Sequence, residues 1–228
     1  MGQAVGLVGK IVDRMIRRTV RSRFRCVYWI PPVAPLPQPC IFAPNHHGWH
    51  DGYVMYHAVT ALKMQTLDWI QEFDAFPLFG QIGGMPFPAD DAAKRAITIR
   101  KTIRLMNQEK RNLLLFAEQE LHLPPEVRQF GKALELVASH VTGACVVPTA
   151  IRYEMSMHER PECFLMFGTP LTGKDMTGAG TRLAVKSLLD ELAVKVRFSP
   201  EAFQILAQGT LDVNERMDMR KIPRFIKK

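Results

Sequence analysis

The stretch CIFAPNHHGWHDG, residues 40–52, decides how the chain reads. Its first four residues, Cys40 to Ala43, form a short apolar run of the kind that fills a strand buried on both faces. Pro44 and Gly48 break the run. Beyond them Tyr53, Val54, His57, Ala58 and Ala61 repeat at three and four residues, which predicts a helix from His50 to about Lys63. A buried strand that feeds a polar turn and then a helix is the repeating unit of an α/β domain. In such domains ligands collect beyond the carboxyl ends of the strands, where His46, His47, His50 and Asp51 lie.

The same alternation continues on both sides. FRCVYWI (24–30), TLDWI (66–70), NLLLFA (112–117), ACVVPTAIRY (144–153) and CFLMFGTPL (163–171) read as strands. Helices are expected from Asp90 or Asp91 to about Gln108, with Ile97, Ile103 and Leu105 facing inward, over GKALELVASHV (131–141), and from Thr181 onward. FPLFGQIGGMPFP (76–88) is broken by glycine and proline and reads as an irregular wall. The expected architecture is a mixed, largely parallel sheet flanked by helices. A length of 228 residues suits one such domain, here residues 26–210.

Charge is concentrated at the ends. Residues 1–25 carry seven Lys or Arg against Asp13, a balance of +6, and residues 219–228 carry five with no acid, a balance of +5. Of the total +8, the remaining body therefore contributes −3. That distribution argues against a broad nucleic-acid face and for local contact with anionic lipids. In residues 1–25, Val5, Val8, Ile11, Val12, Met15, Ile16 and Val20 fall on one side of a helix, with Lys10, Arg14, Arg17, Arg18 and Arg21 on the other. The expectation is an amphipathic helix lying on a membrane surface, with residues 211–228 as a basic tail. Cys26, Cys40, Cys145 and Cys163 form no CxxC pair, so free thiols in a reducing cytoplasm are expected.

Two chemistries compete for the polar turn. His46 and His50 have the i, i+4 spacing of a helical metal pair, but no Glu stands between them as in HExxH, and no distant third ligand is evident. No metal is therefore expected, and a metal-dependent hydrolase using His46, His50 and Asp51 is the alternative. For proton transfer, His46 and Asp51 lie five residues apart, about 140° around a regular helix, so only a turn could join them. Gly48 can supply that turn through a positive φ. Asp51 would fix the imidazole tautomer, and the other ring nitrogen would accept a proton from a hydroxyl. With no GxSxG serine in the chain, that hydroxyl would belong to a substrate.

These residues resemble a known block. NHHGWHD is similar to the NHx4D motif of the lysophospholipid acyltransferase family, which contains the 1-acylglycerol-3-phosphate O-acyltransferases. FPLFG with GGMPFP, LLLFAEQEL with FGKALELVA, and VVPTAI resemble its later blocks in order, over roughly residues 38–172. The resemblance implies a fatty acyl group moved from acyl-CoA or acyl carrier protein to a hydroxyl of a lyso-lipid at a membrane, without a cofactor. It implies His46 as general base and Asp51 as its orienting partner, with Asn45, Glu118 and Gln119 at the substrate.

The departures lie downstream. Asp90 stands where the family has a phosphate-binding arginine, and FAEQELH has Ala117, Gln119 and Leu121 where FPEGTR has Pro, Gly and Arg. Arg95 and Lys132, with Lys94 and Arg128 beside them, are the cations that could substitute. An acceptor without a phosphate is the other expectation. A non-catalytic peripheral lipid-binding protein is a third reading of the chain.

Overall fold

A computed structural model describes residues 6–217 and 220. Val5 and most of the basic C-terminal cluster lie outside the described residues.

The chain runs α1 (Leu7–Arg23), β1 (Cys26–Ile30), β2 (Cys40–Pro44), α2 (Asp51–Ala61), β3 (Thr66–Ile70), β4 (Gly84–Pro86), α3 (Ala92–Glu109), β5 (Asn112–Leu114), α4 (Lys132–His140), β6 (Cys145–Glu154), β7 (Glu162–Phe167), α5 (Gly178–Phe198), β8 (Gln204–Gln208) and α6 (Val213–Arg216). The strands form one sheet in the order β4-β3-β5-β2-β6-β7-β1-β8. Among the strand pairs of this sheet, β6 with β7 and β1 with β8 are antiparallel and the others are parallel. The fold is thus the mixed, mostly parallel α/β sheet that the alternation predicts.

Alternation along the strands divides the apolar runs between two cores. Ile41, Leu113 and Val146 face Met106, Leu134 and Val185 of α3, α4 and α5. Phe42, Leu114 and Val147 face Val20 of α1 and Val54, Met55 and Ala58 of α2. A one-residue slip in β2 would exchange these sets, so burial on both faces fixes its register. Helix starts are also locally specified. The Asp91 side chain accepts the Lys94 N–H at 2.8 Å at the start of α3, and Thr177 Oγ1 accepts the Gly180 N–H at 3.0 Å at the start of α5.

Several elements differ from the sequence reading. The irregular wall expected at 76–88 holds a 3-10 turn at Pro77–Ile82, preceded by another at Phe73–Ala75, but also the edge strand β4, whose three residues are too few to show a period. The helix expected from Thr181 begins at Gly178 and gives way to β8, which closes the far edge antiparallel to β1. Ile97 points outward, because α3 buries Thr98, Thr102 and Met106 instead. Helix α1 packs Val12, Ile16 and Val20 into the body, while Leu7, Val8 and Ile11 stay exposed. All four cysteines are buried and unpaired. Among the described residues no helix is long and apolar enough to cross a membrane.

His57, on the α2 face toward α1, is buried with no partner for Nε2, and burial with Arg17 nearby lowers its pKa to about 4. The unfolded chain, titrating near the ordinary value of 6.5, therefore binds more protons between pH 6.5 and 4, and stability falls as pH falls through that window. By pH 5 the loss from this group is about 2 kcal/mol. Asp68 on β3, pushed up to about 7 by burial, titrates with the opposite sign, so the comparison must be between variants. His57→Leu is expected to lose less stability than the parent between pH 7.5 and pH 5, measured by urea denaturation.

Candidate active site

The polar turn after β2 sits beside Phe116 and Glu118, which follow β5. Because β2 and β5 are adjacent and parallel, both segments leave the sheet at neighbouring carboxyl ends. His46 and Asp51 meet there, with His46 Nδ1 2.9 Å from Asp51 Oδ2. Asp51 is fully buried in the first turn of α2, where the helix dipole favours its charge. The same Oδ2 accepts the Gly48 N–H at 2.9 Å, and Oδ1 accepts the Tyr153 hydroxyl. Burial first, then Cys163 and Asp51, pushes the Tyr153 hydroxyl well above its usual range, which keeps it a donor. The carboxylate is thus held by three donors and aimed at one imidazole nitrogen. Nε2 of His46 has no hydrogen-bond partner among the described residues, and the ring lies 4.3 Å from that of Phe116.

Gly48 is required for a reason other than the one its position suggests. Its φ is not in the left-handed region. A Cβ there would instead lie 2.3 Å from Tyr153 Cε2, so glycine is needed to let the tyrosine reach Asp51. Tyr153 was not legible as a site residue. It comes from β6, about a hundred positions downstream, and only the β2–β6 pairing brings it close.

Asn45 and Glu118, expected at the substrate, are both buried. Asn45 clamps the turn to β6, accepting the Ile151 N–H at 2.8 Å and donating to the Ile151 carbonyl at 3.0 Å. Glu118 Oε1 accepts the His46 N–H at 2.7 Å, and Oε2 binds His122 Nε2 at 2.6 Å and the Arg128 N–H. With their polar atoms committed in this way, both side chains hold the site together.

His46 opens into a cleft of about 960 Å³ between α3 and α4, floored by Trp69, Phe87 and Leu115. Arg95, Lys132 and Gln119 line it, together with Glu120 and Glu135. Arg95 donates to the carbonyls of Pro88 and Ala89. The other two candidate cations are paired with carboxylates, Lys94 with Asp74 at 3.0 Å and Arg128 with Glu120 at 2.6 Å. Gln119 stands in the left-handed region, φ 68°, where the resembling motif has glycine. Its amide crosses Gly131 so closely that a Cβ there would meet Nε2 at 1.7 Å.

His50 does not join His46 and Asp51. Its ring packs edge-on against Phe24 at 5.4 Å, which removes it from the His46, His50, Asp51 metal set of the hydrolase reading. Among the described residues the one group of His, Cys, Asp and Glu whose ligand atoms converge, within 4.8 Å, is His47, Glu118 and His122. Each of these already has a hydrogen bond, His47 Nε2 to the Glu126 carbonyl at 2.6 Å and His122 to Glu118.

No family model and no curated protein matches this sequence. Among solved structures it is similar to an acyltransferase, the 1-acyl-sn-glycerophosphate (LPA) acyltransferase PlsC from Thermotoga maritima. The TM-score is 0.55 at 15% identity, over 80% of this chain and 79% of that one. The likeness is one of fold, and the chain shares the α/β architecture of that enzyme.

Proposed function

We propose that the chain is an O-acyltransferase that moves a fatty acyl group from a thioester, acyl-CoA or acyl carrier protein, to a hydroxyl of a lyso-lipid. The observation that carries this reading is the buried Asp51 carboxylate 2.9 Å from His46 Nδ1, with the imidazole opening into an apolar-floored cleft. A carboxylate on Nδ1 holds the proton there and leaves Nε2 as the acceptor. Nε2 takes the acceptor's hydroxyl proton as its oxygen attacks the thioester carbonyl. The tetrahedral intermediate then collapses, breaking the C–S bond, and the thiolate leaves with the proton from the imidazolium. Thioesters are already activated, so a positioned base supports transfer with no further cofactor. The fold shared with an acyltransferase supports the same reaction class.

The acceptor in this reading carries a neutral polar head. In the cleft lining Lys132 shares the space with Glu135, Glu120 is paired with Arg128, and the Arg95 guanidinium is already engaged by carbonyls. Such a lining gives little net attraction to a phosphate dianion. In this reading Gln119, Arg95 and Lys132, which line the cleft, contact the acceptor. The setting is the cytoplasmic face of a membrane carrying anionic lipids. Leu7, Val8 and Ile11 are exposed beside Lys10 and Arg14 at the start of α1, as an interfacial helix requires.

The test is thiol release from acyl-CoA with a panel of lyso-lipids, with and without phosphate. Release is expected to depend on the acceptor and to be faster with neutral acceptors. Release that never depends on an acceptor would overturn the reading.

A further inference from the structure

A second cavity, of about 520 Å³, opens at the other end of the sheet. It lies at the amino ends of β3 and β5, lined also by Gly6 just before α1 and by the end of α2, and shares no lining residue with the His46 cleft. Lys63, Lys101 and Arg111 line it from three different segments, with no carboxylate in the lining among the described residues. Lys63 follows α2, Lys101 lies on α3, and Arg111 immediately precedes β5. Among the described residues neither lysine has an ion pair or side-chain hydrogen bond. Arg111 donates from Nη1 to Gln65 Oε1 at 2.9 Å, but its Nε is buried with no partner.

Three cations gathered in one concavity repel one another, and a buried guanidinium donor without an acceptor costs free energy. A phosphate would offset the repulsion, since its oxygens accept from a guanidinium and from ammonium groups together. The cavity is larger than a phosphate ion, and Met64, Leu67 and Met85 give it an apolar wall. We propose that it binds a phosphate ester with an apolar portion, at a site separate from the reacting cleft. Two sources share that chemistry, an anionic phospholipid head group and free phosphate. The cavity includes Gly6, beside the exposed Leu7, which places its mouth where a lipid surface would lie if α1 meets one.

The test measures binding to the full chain by isothermal titration calorimetry, with dihexanoyl phosphatidylglycerol below its micellar concentration and with inorganic phosphate. The expected result is saturable binding of the lipid, one per chain, weakened about tenfold or more by Lys63→Ser with Lys101→Ser. Adding Arg111→Gln should weaken it further. A charge-matched control on α5 and its approach, Lys174→Ser with Lys186→Ser and Arg197→Ser, should stay within about twofold of the parent, because charge-assisted hydrogen bonds to the phosphate are lost only in the pocket variants. Phosphate binding as tightly as the lipid would assign the free ion as occupant, and much weaker phosphate binding would assign the head group. Either result supports the anion site. Equal weakening in pocket and control variants, or no saturable binding of either probe, would overturn it. So would binding lost in Arg95→Ser with Lys132→Ser but kept in the pocket variants, because the lipid would then sit in the reacting cleft. Acceptor-dependent thiol release is read in parallel and should be unchanged in the pocket variants, so the two proposals fail independently.

Discussion

Exchanging Asp51 for Asn is expected to lower acyl transfer by about 10³-fold, and His46→Ala by at least as much, with the fold retained. Asp51 now accepts from His46 and Gly48 on one oxygen and from Tyr153 on the other. An amide offers one acceptor oxygen and one donor nitrogen, so it cannot serve all three donors. If the amide nitrogen faces the imidazole, Nδ1 must become an acceptor, and Nε2 then carries the proton and cannot act as a base. If it faces Tyr153, the hydroxyl loses its acceptor and the imidazolium loses its counter-charge. Circular dichroism and a urea midpoint check the fold, and acceptor-dependent thiol release reads the loss. A His46→Ala protein that transfers at the parent rate would end the general-base reading.

Glu118→Ala is expected to damage stability as well as rate. Its two oxygens satisfy the His46 N–H, the Arg128 N–H and His122 Nε2 in a site it occupies at 5% exposure. Truncation strands these donors in the interior, at a cost of about 3–5 kcal/mol, and releases the backbone that carries the base. Urea denaturation should register the first effect and acceptor-dependent thiol release the second. Glu118→Gln keeps one acceptor oxygen and should fall between the two proteins in both measurements. Full stability in Glu118→Ala would show that Glu118 does not hold the turn.

Much of the architecture was legible because the central strands are buried on both faces. CIFAP and NLL read as uninterrupted apolar runs, and the helices between them carry a regular period. The edges were not legible. β4 has three residues between glycine and proline, and β8 is half exposed and follows a long helix, so neither carries a signal of its own. Helix α1 shows the limit of periodicity alone. One apolar side was visible in sequence, but the division into the buried Val12, Ile16 and Val20 and the exposed Leu7, Val8 and Ile11 depends on what packs over it.

The candidate site divides in the same way. His46 and Asp51 stood out because they lie within six residues of each other between a strand and a helix, and a turn is a local structure that local sequence can encode. By itself, then, the sequence determined the alternating α/β layering and the turn that places His46 and Asp51 at a strand end. Only the tertiary structure decided which side chains hold that pair: Tyr153 from β6, reached across a glycine with no Cβ, Asn45 clamped to Ile151, and Glu118 from the segment after β5. It also decided which cations face the cleft and which gather at the opposite end of the sheet. Those choices depend on strand order and on burial from several segments at once, and neither quantity is carried by residues close together in the chain.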